Sequence, residues 1–107
     1  MITSEQEVSQ ALKYLASTDE SCAKARAFQL YMESKEKTIL SVTILESSGT
    51  VSERESRART SAAYLEWLEA YREAVADFEL QRNKRKRAEL LVEVWRSENA
   101  NSRRGNI

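Results

Sequence analysis

Residues 52–99, SERESRARTSAAYLEWLEAYREAVADFELQRNKRKRAELLVEVWRSEN, decide the fold. The stretch opens on Ser52-Glu53-Arg54-Glu55, which has the spacing of a capping box. The serine hydroxyl accepts from the amide three residues on, and the Glu55 carboxylate reaches back to the serine amide. The chain has no proline and its next glycine is Gly105, so nothing interrupts a helix over 53–99. A helix of about 46 residues measures roughly 70 Å at 1.5 Å per residue. A compact domain of about 100 residues has a radius of gyration of only about 13 Å. The rest of the chain must therefore fold back along this helix, or a second copy must.

The whole chain agrees with a helical reading. Its 107 residues suit a single domain, 1–107, and 41% are hydrophobic while 32% are charged. Two glycines and no prolines leave too little turn chemistry for a β-rich fold. The expected class is all-α: an elongated antiparallel helical hairpin, coiled-coil-like, with one long C-terminal helix and a short N-terminal one. Seventeen basic residues balance seventeen acidic ones, so affinity for nucleic acid or membrane must come from local clustering. Cys22 is the only cysteine, which rules out an intrachain disulfide and fits a reducing compartment. Residues 1–10 lack the basic start and apolar run of a signal peptide, and no apolar stretch approaches the roughly 18–20 residues of a membrane span. A cytoplasmic protein that does not enter membranes is expected.

From the N-terminus, Thr3 with Gln6 and Ser4 with Glu7 make two overlapping capping boxes. Val8, Ala11, Leu12 and Leu15 follow at helical spacing and predict a short helix over 4–16. Ser17-Thr18-Asp19-Glu20 reads as a fresh cap for a second helix over 18–46, with Cys22, Ala25, Phe28, Tyr31, Met32, Ile39, Val42 and Leu45 on its apolar side. Residues 38–45 are rich in β-branched side chains, which favours a strand. A lone strand has no partner in this sequence, and Ile39, Val42 and Leu45 recur at three-residue spacing, so the segment is read as helix. Ser47-Ser48-Gly49-Thr50 makes the turn that sets the second and third helices side by side. The long helix is read over 53–99 and a flexible tail over 100–107.

Along the long helix, Tyr64, Leu68, Tyr71, Val75 and Phe78 alternate steps of three and four and form a packing seam. Apolar character returns at Ala88, Leu91, Val92 and Trp95. A seam left open on a long helix drives association, so a homo-oligomer is expected, with Tyr64, Leu68, Tyr71, Val75, Phe78 and Trp95 as its packing residues.

Between the two apolar zones lies Arg82-Asn83-Lys84-Arg85-Lys86-Arg87, five cations in six residues. Clustered Lys and Arg are what phosphate binding requires, because each neutralised phosphate releases condensed counterion. At 100° per residue these side chains surround the helix as a collar. Arg82, Lys84, Arg85, Lys86 and Arg87 are the candidate nucleic-acid contacts. The other reading of the same run is a solvated band balanced by acids such as Glu79 and Glu89. The acidic residues Glu66, Glu69, Glu73, Asp77 and Glu79 come without histidine, so the Glu-x-x-His pattern of di-iron bundles is missing. No glycine-rich phosphate loop or nucleophile elbow is present either. The expectation is no enzyme, no cofactor and no metal site.

The run from Tyr71 to Ala100, with Glu79-Leu80, the basic cluster, Ala88-Glu89 and Glu93-Val94-Trp95-Arg96, resembles a family of small helical proteins encoded by bacteriophages. Gly49-Thr50-Val51-Ser52-Glu53-Arg54 is similar to the segment that opens that family's long helix. The resemblance implies a place among phage recombination and single-strand-binding functions, in the cytoplasm of an infected bacterial host. The helix–loop–long-helix layout is similar to that of the T-even phage recombination mediator, an oligomer that loads a recombinase onto single-stranded DNA. Single-stranded DNA bound through residues 82–87, with a phage recombinase or single-strand-binding protein as partner, is one expected function. A helical protein–protein adaptor or inhibitor of a host or phage enzyme, without nucleic-acid binding, is the other.

Overall fold

The structure, a computed structural model, describes residues 3–105. These form four helices: α1 (Glu5–Ser34), α2 (Glu36–Glu46), α3 (Val51–Thr60) and α4 (Ala62–Gly105). The fold is all-α, and no described residue lies in a strand. Residues 38–45 are helical, inside α2.

Five helix boundaries differ from those expected, each for a local reason. The break expected at 16–18 is absent and α1 runs on to Ser34. The hydroxyls taken for a new cap turn backward instead: Ser17 Oγ and Thr18 Oγ1 both donate to the Tyr14 carbonyl, at 3.1 and 2.7 Å. Ser21 Oγ donates to the Thr18 carbonyl at 3.1 Å. Back-bonded in this way, Ser and Thr sit inside a helix without ending it. The real break falls at Lys35, where the Met32 carbonyl accepts from the Lys35 amide at 3.2 Å and from Trp67 Nε1 at 2.7 Å.

The long helix starts earlier than Ser52 and is interrupted. Thr50 is the N-cap of α3, its side chain accepting from the Glu53 amide at 3.2 Å, so Thr50-x-x-Glu53 outcompetes Ser52-x-x-Glu55. At Ser61 the backbone is extended (φ −69°, ψ 152°) and separates α3 from α4. Ser61 Oγ donates to the Ala58 carbonyl at 2.7 Å and accepts from the Tyr64 amide at 3.2 Å, closing one helix and capping the next. Finally, the expected tail 100–107 is helical as far as Gly105. Arg103 and Arg104 occupy the last turn, where cations oppose the helix dipole. Residues 106–107 lie outside the described part.

The contacts gather into two compact units: residues 3–23 with 79–105, and Lys24–Phe78.

In the unit Lys24–Phe78 the core is Met32, Trp67 and Ala74, with Ile39, Tyr64, Leu68, Ala70 and Tyr71 packed against it. Trp67 stands between two rings, 5.4 Å from Tyr64 and 5.3 Å from Tyr71, the latter pair stacked at 9°. Ala58 of α3 is fully buried, and α3 packs on α2 across the turn 47–50. That turn closes through Gly49 at φ +112° and through an Arg57 Nη1 bond to the Ser48 carbonyl. A side chain at position 49 would occupy a strained backbone and meet the Glu53 carboxylate. Gly49→Ala is therefore expected to cost about 1–2 kcal/mol, mainly from the backbone, since the Glu53 side chain can swing aside. A urea titration followed by circular dichroism reads this directly; an unchanged midpoint would refute the argument from φ.

In the other unit, 3–23 runs antiparallel to 79–105, with Thr3 near Glu98 and Ser21 near Gln81. Ser4 caps α1 by accepting from the Glu7 amide at 3.1 Å. Val8, Ala11 and Ala88 are buried here, and the two alanines allow the helices a close approach.

Candidate nucleic-acid interface

The basic run 82–87 lies wholly on α4, in the unit of 3–23 with 79–105. The inward line of α4 in this unit passes through Gln81, Arg85 and Ala88, none of which is exposed. Arg85 is thus the one cation of the cluster that faces α1. Its side chain is 18% exposed, and Nη1 donates to the Leu15 carbonyl at 2.7 Å and to Thr18 Oγ1 at 2.8 Å. Nη2 reaches Asp19 Oδ1 at 3.4 Å. Arg85, one of the five candidate contacts, has its guanidinium held by the fold. The carbonyl and hydroxyl of α1 supply acceptors that an arginine fork satisfies on a packing face.

The other four cations, Arg82, Lys84, Lys86 and Arg87, are exposed. Arg82 pairs with Glu79 at 3.6 Å, an exposed contact of little energetic weight. Among the described residues, Lys84, Lys86 and Arg87 have no ion-pair partner. Helical spacing divides the four. Residues three or four apart are neighbours on a helix surface, so Lys84 and Arg87 share one flank while Arg82 and Lys86 share the other. With Arg85 inward, the collar becomes two basic edges.

The Lys84–Arg87 edge borders a shallow open groove of about 300 Å³ between α1 and α4, with Tyr14, Gln10 and Glu7 on the α1 side and Ala88 and Leu91 beneath. Tyr14 is half-buried, and its hydroxyl makes no hydrogen bond among the described residues. The sequence reading passed over Tyr14. The available signal was its spacing, three from Ala11 and four from Gln10, which puts all three on one side of α1.

None of the seam residues Tyr64, Leu68, Tyr71, Val75, Phe78 and Trp95 is exposed. Tyr64, Leu68 and Tyr71 pack on the Met32–Trp67–Ala74 core, and Arg26 lies over the Phe78 ring at 5.2 Å. The first part of the seam is covered within the chain rather than left open. Arg103 and Arg104 are exposed in the last turn of α4. Cys22 is half-buried with a free thiol. Among the described residues no three His, Cys, Asp or Glu side chains gather as a metal site requires. No helix among them is long and apolar enough to cross a membrane. No family model, curated protein or solved structure matches the chain.

Proposed function

We propose that the chain is a non-enzymatic accessory of DNA recombination or replication that binds single-stranded DNA through the exposed cations of α4. One observation carries this reading: four of the five cations in 82–87 stay exposed, and three of those have no ion-pair partner among the described residues. A solvated band balanced by its neighbours would pair its charges, as Arg82 does with Glu79. The likeness to phage-encoded helical proteins supports a phage recombinase or single-strand-binding protein as the protein partner. Leu80, Leu90 and Val94 are exposed on α4, and they are the residues through which we place self-association.

The test is the variant Arg82→Gln, Lys84→Gln, Lys86→Gln and Arg87→Gln, with Arg85 kept. Glutamine preserves helix propensity, so circular dichroism should not change. One strand reaches one flank of a helix, which gives about two phosphate contacts. The slope of log affinity against log salt should then become shallower by about 1.4, at about 0.7 per contact on single strands. A folded variant that binds a labelled oligonucleotide as tightly as the parent at every salt would sink the proposal.

A second reading has its own observation. Leu45 and Val51, flanking the α2–α3 turn, are 83% and 72% exposed. Such side chains favour a protein adaptor that docks by the hairpin tip. Binding of that kind barely responds to salt, and a parent that ignores DNA at low salt would transfer the function to it.

A further inference from the structure

Resting on the single-strand reading above, we propose that the strand is gripped on one flank only, with an unstacked base on the Tyr14 ring and its neighbouring phosphates on Lys84 and Arg87. Arg85 is left out of the grip, since its guanidinium is turned toward α1 and three of its N–H donors are engaged by Leu15, Thr18 and Asp19. Of the two remaining edges, the one with Arg82 and Lys86 has a paired member, Arg82 with Glu79, whereas Lys84 and Arg87 border the groove that holds Tyr14.

The chemistry of the groove selects its occupant. Its lining is an aromatic ring, two alanines and Leu91 under two cationic side chains. A base offers a flat apolar face to the ring while its phosphates stay outside with the cations, and stacking of this kind accepts any base. A duplex keeps its bases paired and stacked, so only its backbone could reach the cations. Glu7 lies seven residues before Tyr14, about 10 Å along α1, and its carboxylate repels phosphate at that end. The phosphates are thereby confined to the Tyr14 end.

Fluorescence anisotropy on a labelled oligodeoxythymidylate, at several salt concentrations, separates the contributions. Tyr14→Leu should weaken binding about ten-fold or more at every salt, without changing the slope. Tyr14→Phe keeps the ring and should bind as the parent does. Lys84→Gln with Arg87→Gln should make the slope shallower by about 1.4, while Arg82→Gln with Lys86→Gln should leave it unchanged. In the parent, photocrosslinking to a bromodeoxyuridine oligonucleotide should label Tyr14, a readout that needs no variant to fold. If the Tyr14 and Lys84–Arg87 variants bind like the parent and only the four-cation variant fails, the one-flank grip is wrong and the single-strand reading stands. A crosslink confined to other aromatics has the same meaning. A parent that binds no oligonucleotide at low salt removes both.

Discussion

Replacing Trp67 by alanine is expected to destabilise the unit Lys24–Phe78 by about 3–5 kcal/mol, the range for removing a buried aromatic from a packed core. Trp67 is the largest of the well-buried core residues, at 5% exposed, and it holds Tyr64 and Tyr71 on its two sides. The substitution removes both ring contacts and leaves a cavity beside Met32 and Ala74. It also deletes the Nε1 donor at the Met32 carbonyl, the bond that marks the end of α1. That carbonyl keeps the Lys35 amide at 3.2 Å, so the hydrogen bond itself is the smaller share. Trp67→Phe keeps an aromatic ring between Tyr64 and Tyr71 but loses the donor and part of the indole volume, so its cost should be smaller than that of the alanine variant, about 1–3 kcal/mol. Small domains are stable by only about 5–15 kcal/mol, so the alanine variant should lose the helical signal of this unit at moderate urea. With Trp67 gone, Trp95 is the only tryptophan and lies in the other unit, so its fluorescence reports that unit alone. Equal urea midpoints for the parent and Trp67→Ala would contradict the assignment of Trp67 as the core.

Arg85→Ala should lower stability by about 2–3 kcal/mol while leaving the salt dependence of the proposed DNA binding unaltered. The Asp19 side chain is 82% exposed, so that ion pair contributes little. The effect comes from the charge-assisted bonds to the Leu15 carbonyl and Thr18 hydroxyl, each worth about 1.5–3 kcal/mol, partly offset by water entering the site. Arg85→Met retains the aliphatic stem against α1 and should recover part of the loss. Lys84 and Arg87 should behave in the opposite way, altering the salt slope of the proposed binding and not the melting. Thermal denaturation beside anisotropy, on the same samples, makes the comparison. If Arg85→Ala melted with the parent and flattened the salt slope, Arg85 would belong with the exposed cations after all.

The composition of the chain by itself determined the class of fold. Without proline, and with Gly49 as the only glycine before Gly105, the backbone has one site suited to a reversal and otherwise continues as helix. The Thr38–Leu45 stretch followed its three-residue apolar period into a helix despite its β-branched content. The alternating steps from Tyr64 to Phe78 marked residues that the structure does cover. The tertiary structure decided where the helices break and which way each polar group turns. A Ser or Thr hydroxyl serves equally as a cap for the helix ahead or as a donor to the carbonyl behind. The same residue types therefore continue a helix at Ser17-Thr18 and break one at Ser61. The end of α1 at Lys35 depends on Trp67, a residue 35 positions from the Met32 carbonyl that it bonds. Likewise, 82–87 reads as a uniform ring of charge along one helix. Only the presence of α1, bringing Leu15, Thr18 and Asp19 to one side and Tyr14 to another, turns one cation inward and leaves the rest as two unequal edges. Local pattern sets the helix, because its hydrogen bonds span four residues; the neighbour across the groove sets the site, because its contacts span seventy.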